Sequence, residues 1–529
     1  MAADALRTGH RLLVRSSPVT FALLLACSQQ QSEPAQRAQP DAASADALMA
    51  CADLRSLALP NTTITLAEEV AAGALDLSST YALAPPEDFS TLPALCRVAG
   101  RIRPTPDSDI MFELWMPVEG WNGKFMVTGN GGAGGAIWHS SMIEPLERGY
   151  AAANTDTGHE GAPFDFSFAL GHTEKFVDWG HRAVHETTVL SKAIIAAHYG
   201  SSASRAYFWG CSTGGRQGLK AAEMFPEDFD AILAGAPGNT TGSLLAYILL
   251  VRNTVTDASG ALPPAKLEVL KEAAIAICDA HDGVADRVIN EPGQCEFDPA
   301  VTQCTAGDGQ DCLTASEVEA ARRVYAGVVS PRTGEVLYPG PEPASEPGWA
   351  GAAAGAPDND LATTYYRSVV AGDRSWDPRT FDVDRDIPLV DAASGAAVAG
   401  ADLSAFAAGG GKLILYHGWT DGALSPGATI DYYDSVVREL GEQVVGNSVR
   451  LFLVPGMDHC AGGEADMILD LVTPLERWAE MGEAPERLMD SRPAGATTFA
   501  RSVCAYPRVS RYTGSGDFAD AASWVCEAP

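Results

Sequence analysis

A serine hydroxyl becomes a useful nucleophile near neutral pH only when a base lies within hydrogen-bond reach and an acid orients that base. Gly210, Cys211, Ser212, Thr213 and Gly214 spell G-x-S-x-G. An apolar run at 206–209 precedes the motif and a helical pattern at 215–225 follows it, the strand–turn–helix context that a nucleophile elbow needs. A chain with 52 glycines can produce this motif by chance, and the flanking pattern argues against chance. After Ser212 the histidines are His281, His417 and His459. His459 follows the apolar run 449–454 and the turn 455–458; Asp421 follows the run 412–417 through Gly418, Trp419 and Thr420. Both loops would leave the carboxyl edge of a sheet, where ligands bind in open α/β folds. The order Ser212, Asp421, His459 therefore reads as nucleophile, acid and base. His417 lies within its own strand and reads as structural. Asp458 is the rival acid, but adjacency in a tight turn aims it away from the imidazole.

Positioning such groups requires a sheet. The runs 124–128, 205–209, 229–234, 412–417 and 449–454 are apolar or aromatic and end in Gly or polar residues, as buried parallel strands do. Helical patterns alternate with them from about residue 110, which predicts an α/β fold with a mostly parallel sheet, of α/β-hydrolase type. Between the third and fourth runs, about 240–400, the chain is dense in Ala, Gly, Pro and Asp and carries four cysteines. That stretch reads as an insertion. The expected layout is a catalytic domain from 48–240 and 401–529 with a lid from 241–400 between sheet strands. Trp349, Tyr365, Tyr366, Arg367 and Trp376 are candidates either for a substrate pocket or for the core of that lid. His181 and His185, four apart on an expected helix, could ligate a metal but lack an evident third ligand, so a core-facing helix face is the expectation.

At 529 residues the chain exceeds one ordinary core. Acidic residues outnumber basic ones 68 to 36, a formal charge of -32, which argues against nucleic acid as partner. Eleven cysteines without CxxC or HExxH patterns imply disulfides and an oxidising compartment. Arg7, Arg11 and Arg15 followed by the short apolar stretch 18–26 form an export signal over 1–27. Its end, Leu24-Leu25-Ala26-Cys27, resembles a bacterial lipobox, so Cys27 is a lipidation candidate, with ordinary signal cleavage as the alternative. Residues 28–47 read as a disordered tether. The product would be periplasmic, an outer-membrane lipoprotein, or extracellular; nothing in the sequence sets an oligomeric state.

Cys211 immediately precedes the proposed nucleophile and Cys460 immediately follows the proposed base. This pattern resembles the tannase and feruloyl esterase family, and the resemblance covers nearly all of the chain after residue 48. It implies a Cys211–Cys460 disulfide tying the two catalytic loops, and local pairs Cys51–Cys96, Cys278–Cys295, Cys304–Cys312 and Cys504–Cys526. Thr213 should supply one oxyanion amide, as the residue after the nucleophile. The other should come from the Gly-rich loop 129–135, where the resemblance favours Gly132 and leaves Gly131 as the alternative. A phosphate-cradling role for these glycines lacks the GxxxxGK[ST] pattern.

Residues 278–288 place Asp279, Asp282 and Asp286 within eight positions. Oxygen ligands at such spacing suit calcium, although the loop is no EF-hand, since Val284 stands where its glycine belongs. A solvated acidic turn is the alternative. The resemblance implies a structural Ca²⁺ site in the lid, with carboxylates from Asp279, Asp282 and Asp286 and backbone carbonyls from Val284 and Val288. It also implies a serine ester hydrolase acting through an acyl-serine on small esters of hydroxycinnamic or gallic acid, or, as in one branch, on a monoester of terephthalic acid. No redox cofactor is implied. The contrasting reading is an inactive hydrolase-like surface lipoprotein that binds polyphenol or polysaccharide.

Overall fold

Strands buried on both faces need apolar side chains at nearly every position, and the runs flanking the motifs have them. The computed structural model describes residues 48–529 apart from 78–87, 240, 257–260, 308, 353–354, 357–358, 466, 468 and 490–500. The proposed signal with Cys27 and the tether 28–47 lie outside the described residues. Nine strands form one sheet: β1 (Thr62–Val70), β2 (Leu95–Ile102), β3 (Ile110–Pro117), β4 (Lys124–Thr128), β5 (Ala151–Thr155), β6 (Arg205–Cys211), β7 (Ala231–Gly235), β8 (Lys412–Gly418) and β9 (Val449–Val454). Their spatial order is β1-β2-β3-β5-β4-β6-β7-β8-β9. From β5 to β9 every pairing is parallel. The β1–β2, β2–β3 and β3–β5 pairings are antiparallel.

All five runs read from sequence are strands of this sheet, with ends shifted by up to two residues. The alternation of side chains across each strand sorts them onto two faces. Phe125, Val127, Phe208, Ile232, Leu413 and Leu451 enter one core cluster. Met126, Tyr207, Leu233, Ile414, Tyr416 and Phe452 enter the other. Each such buried side chain contributes roughly 1.5–3 kcal/mol, so the parallel half of the sheet is a firm platform for the loops at its carboxyl edge.

The insertion leaves after β7 and returns before β8. Its first helix, α4 (Gly242–Thr256), faces two ways. Leu244 and Tyr247 join Leu267, Val318, Val324 and Trp349 in a core of the insertion's own, whereas Leu245 and Leu249 pack with Ala133, Phe166 and Trp179 of the sheet domain. The returning segment is clasped by side chains from the sheet domain. The fully buried guanidinium of Arg216 donates to the carbonyls of Gly180 and Ala397 and lies over the Trp179 ring. Lys220 donates to the Val398 carbonyl, and Asn239 makes two hydrogen bonds with the Ala399 backbone. Burial lowers the Arg216 guanidinium to about 10, still charged at neutral pH. Residues 46–529 form one compact unit.

His181 and His185 have separate structural partners, the Ala396 carbonyl and the Asp228 carboxylate. No helix among the described residues is long and apolar enough to cross a membrane. Disulfides join Cys51–Cys96, Cys211–Cys460, Cys278–Cys295, Cys304–Cys312 and Cys504–Cys526.

Candidate active site

Between β6 and the helix α3 (Thr213–Met224) the chain reverses at Ser212, whose φ of 61° and ψ of -122° lie outside the regions that non-glycine residues prefer. Such strain, costing about 1–3 kcal/mol, persists only where surrounding packing enforces it. Here the enforcement comes from close backbone approach: a Cβ on Gly210 would stand 2.7 Å from Gly214 backbone atoms. The strand therefore turns into the helix on the tightest available path, with the Ser212 side chain at its apex.

Asp421 and His459 meet at the ends of β8 and β9. His459 Nδ1 lies 2.6 Å from Asp421 Oδ2. The other carboxylate oxygen accepts from the backbone N–H groups of Ala423 and Leu424, each at 2.9 Å. Burial alone would raise the Asp421 carboxyl, but the charge of His459 and the hydrogen bonds from His417 and His459 hold it well below the usual carboxylate range. It is an anion fixed at both oxygens. Asp458, the rival acid, instead accepts from the Thr420 hydroxyl at 2.8 Å.

His417 is structural, as its place within the strand suggests, and its partner is Asp421. Its Nε2 lies 2.9 Å from Asp421 Oδ2 and 3.1 Å from the Leu424 carbonyl; both are acceptors, so this nitrogen carries the proton. Nδ1 faces the Thr429 hydroxyl at 2.7 Å. The residue is structural in that it makes no approach to the cavity, yet what it structures is the acid. A spacing of four between a strand-end histidine and the acid was the available signal.

For His459, burial pulls the imidazole down, while the charge of Asp421 and its hydrogen bond more than offset this and leave it above its ordinary 6.5. A general base works only when neutral, so activity is lost as pH falls through that raised value. The acid limb of kcat/KM is expected above pH 6.5. Replacing His417 by Phe removes one donor from Asp421 Oδ2, strengthens the carboxylate as acceptor for His459, and should move the limb further up. The same change should lower kcat/KM roughly tenfold or more, the worth of one hydrogen bond to a charged group. A purely packing role for His417 would leave the pH profile where it was.

The Cys211–Cys460 disulfide spans 249 residues and bridges the neighbours of Ser212 and His459. Cys460, like Ser212, has a positive φ, 70°. Ser212 and His459 line one cavity of about 570 Å³. No hydrogen bond joins Ser212 Oγ to the imidazole among the described residues; nucleophile–base contacts commonly tighten only when substrate binds. Gly131 and Gly132 line the same cavity. The Thr213 hydroxyl donates to the Gly132 carbonyl at 2.7 Å, tying the Gly-rich loop to the start of α3. At Gly132, φ is 55° and a Cβ would meet the Pro163 carbonyl oxygen at 2.0 Å, so only glycine fits this turn.

None of the described residues lining this cavity belongs to 241–400. Trp349, Tyr365 and Tyr366 are buried in cores, Trp376 stacks on Tyr366 with ring centres 4.0 Å apart, and Arg367 donates to the Trp376 carbonyl. Trp349 serves the insertion's own core, whereas Tyr365 packs against Phe166, Phe176 and Trp179 of the sheet domain.

In the acidic loop, Asp279, Asp282 and Asp286 each accept a backbone N–H, from Asp286, Val284 and Val288 respectively. Arg501, buried against Trp524, bonds the second oxygen of Asp286 and lies 3.8 Å from Asp282. Asp282 Oδ2 is buried without a hydrogen-bond partner. Burial pushes the Asp282 carboxyl up to about 6 and also raises that of Asp286. Among the described residues no three His, Cys, Asp or Glu side chains form a ready metal cage. Arg501, over two hundred residues away in sequence, gave no signal that would place it here.

Known proteins resemble this arrangement along most of its length. The sequence model described as tannase and feruloyl esterase matches residues 96–527. A protein of Xanthomonas campestris pv. campestris named as an uncharacterised esterase is 35% identical, over 91% of this chain and 92% of its own. The mono(2-hydroxyethyl) terephthalate hydrolase of Piscinibacter sakaiensis is 34% identical, over 83% of this chain and 86% of its own. Among solved structures, feruloyl esterase B from Aspergillus oryzae superposes with a TM-score of 0.82 at 29% identity, covering 90% of this chain and 99% of that one.

Proposed function

Since this chain belongs to the tannase and feruloyl esterase family and is a carboxylic ester hydrolase, we propose that it is an exported enzyme cleaving esters of aromatic acids through an acyl-Ser212 intermediate. The observation that carries this reading is that Ser212 and His459 line one cavity, with the anionic Asp421 buried behind His459 Nδ1 and the loops of Ser212 and His459 joined by a disulfide. Ser212 Oγ attacks the ester carbonyl as His459 Nε2 takes its proton, while Asp421 holds Nδ1–H and stabilises the imidazolium. The amides of Thr213 and Gly132 receive the developing oxyanion. His459 then protonates the departing alcohol, and a water activated by the same imidazole releases the acid. The segment 241–400 serves as the lid, clasped at its return. Export is supported by five disulfides, with Cys27 as the site of lipidation where the signal is processed as a lipoprotein. A panel of methyl ferulate, methyl gallate and mono(2-hydroxyethyl) terephthalate tests the reading; turnover of none of the three would overturn the aromatic-acid assignment.

A structural calcium ion belongs to the same proposal. The unpartnered buried oxygen of Asp282 and the raised carboxyls beside it fit a cation, and Asp279, Asp282 and Asp286 with the carbonyls of Val284 and Val288 would hold it. Removing calcium with a chelator is expected to lower Tm by about 3–5 °C, reversed by added Ca²⁺ but not Mg²⁺. An unchanged Tm would mean that Arg501 alone balances the charge.

A further inference from the structure

The cavity beside Ser212 extends to one wall that the mechanism does not use. There the helix α1 (Ser140–Glu147) and the turn before it contribute Trp138, Ser140, Ser141 and Glu144. This wall is built, not incidental. The backbone N–H of Trp138 donates to Asn154 Oδ1 at 2.9 Å, and the Ser141 hydroxyl bonds Thr128 Oγ1 and the Trp138 carbonyl, both at 2.7 Å. His139, between them, is held 2.8 Å from Glu113, a buried carboxylate that also accepts from Trp115 at 2.9 Å and from Arg97. A Cβ on Gly131 would stand 2.5 Å from the Trp138 ring, so the indole packs directly over the oxyanion loop.

Glu144 stands at this wall, and among the described residues the cation paired with it, Arg148, is divided. Arg148 lies 2.9 Å from Glu144 and 3.2 Å from Asp470, so one guanidinium serves two carboxylates and the rim keeps a negative charge. A second carboxylate brought into the cavity meets repulsion there, whereas a hydroxyl meets an acceptor. The aromatic faces of Trp138, Trp209 and Phe164 suit a ring or the C–H face of a polyol.

We infer that this cavity takes a hydroxylated, uncharged portion of the ester, and that Glu144 is a specificity-determining residue that accepts its hydroxyl and rejects a carboxylate. The inference rests on the esterase reading of Ser212, and where the acyl ring fills the cavity it narrows that reading against terephthalate monoesters. The hydroxyl can come from a phenolic acyl ring or from a polyol alcohol, and the substrates separate the two sources.

The experiment compares kcat/KM for methyl cinnamate, methyl ferulate, glyceryl cinnamate and methyl 4-carboxycinnamate in the wild type and in Glu144→Gln. Methyl ferulate exceeding methyl cinnamate by about tenfold places the phenolic ring in the cavity; the same advantage for glyceryl cinnamate places the alcohol there. With the ring there, the ratio of 4-carboxycinnamate to cinnamate turnover should rise about tenfold in Glu144→Gln; in either case the hydroxyl advantage should shrink. Ratios identical in the two proteins overturn the role of Glu144 while the esterase reading stands. Loss of turnover on all four esters by the wild type overturns both.

Discussion

Exchanging Ser212 for alanine is expected to lower kcat on methyl ferulate by about 10⁴-fold or more. The residual rate belongs to the oxyanion donors and to substrate positioning, which the substitution leaves in place. Because Ser212 Oγ has no hydrogen-bond partner among the described residues, its removal leaves no buried group unsatisfied, and Tm should move by less than about 2 °C. The comparison requires matched circular dichroism and melting curves. Retention of more than about 1% of wild-type kcat by a folded Ser212→Ala protein would remove Ser212 from the role of nucleophile.

Removing the inter-loop disulfide should damage both stability and catalysis, for a different reason. Cys211 and Cys460 are 249 residues apart, and closing so long a loop lowers the entropy of the unfolded chain by an amount worth about 5 kcal/mol in the chain-entropy account. The double change Cys211→Ala with Cys460→Ala avoids a stray thiol. It should lower the midpoint of chemical denaturation accordingly and cut kcat/KM about 100-fold, because a displacement near 1 Å between nucleophile and base has that effect. The two consequences separate experimentally: stability is read from denaturation, catalysis from turnover far below the melting temperature. Wild-type turnover in the double variant would mean that the platform of β6 and β9 aligns the two loops unaided.

The parts of this molecule that could be read from sequence are those whose local chemistry is restrictive. Strands β4 and β6 to β9 carry continuous apolar runs because both faces are covered, and the residues ending them, Ser212, Asp421 and His459, are placed by the same geometry. Strands β1 and β2 are less completely buried and mix Thr, Glu and Arg with their apolar residues, so they gave no comparable signal, and in β3 the buried Glu113 interrupts an otherwise apolar run. Strand β5, Ala-Ala-Ala-Asn-Thr, has weak strand propensity and forms because β3 and β4 flank it. The same distinction holds within the site. The proposed triad is legible by residue type and order, whereas His417 and Arg501 make contacts that only the folded chain creates. Aromatics of the insertion illustrate the converse: Trp349, Tyr365 and Tyr366 fit a pocket or a core equally well by type, and packing claims them.

The clasp on residues 396–399 bears on how the insertion can be exchanged. Arg216, Lys220 and Asn239 recognise this segment largely through its carbonyl oxygens, which any sequence can present. A chimera whose foreign segment is spliced upstream of residue 396 would preserve every acceptor those side chains require. One joined downstream of residue 399 would risk stranding a buried guanidinium beneath the graft, making the position of the seam, more than the ancestry of the transplanted part, decisive for recovering folded protein.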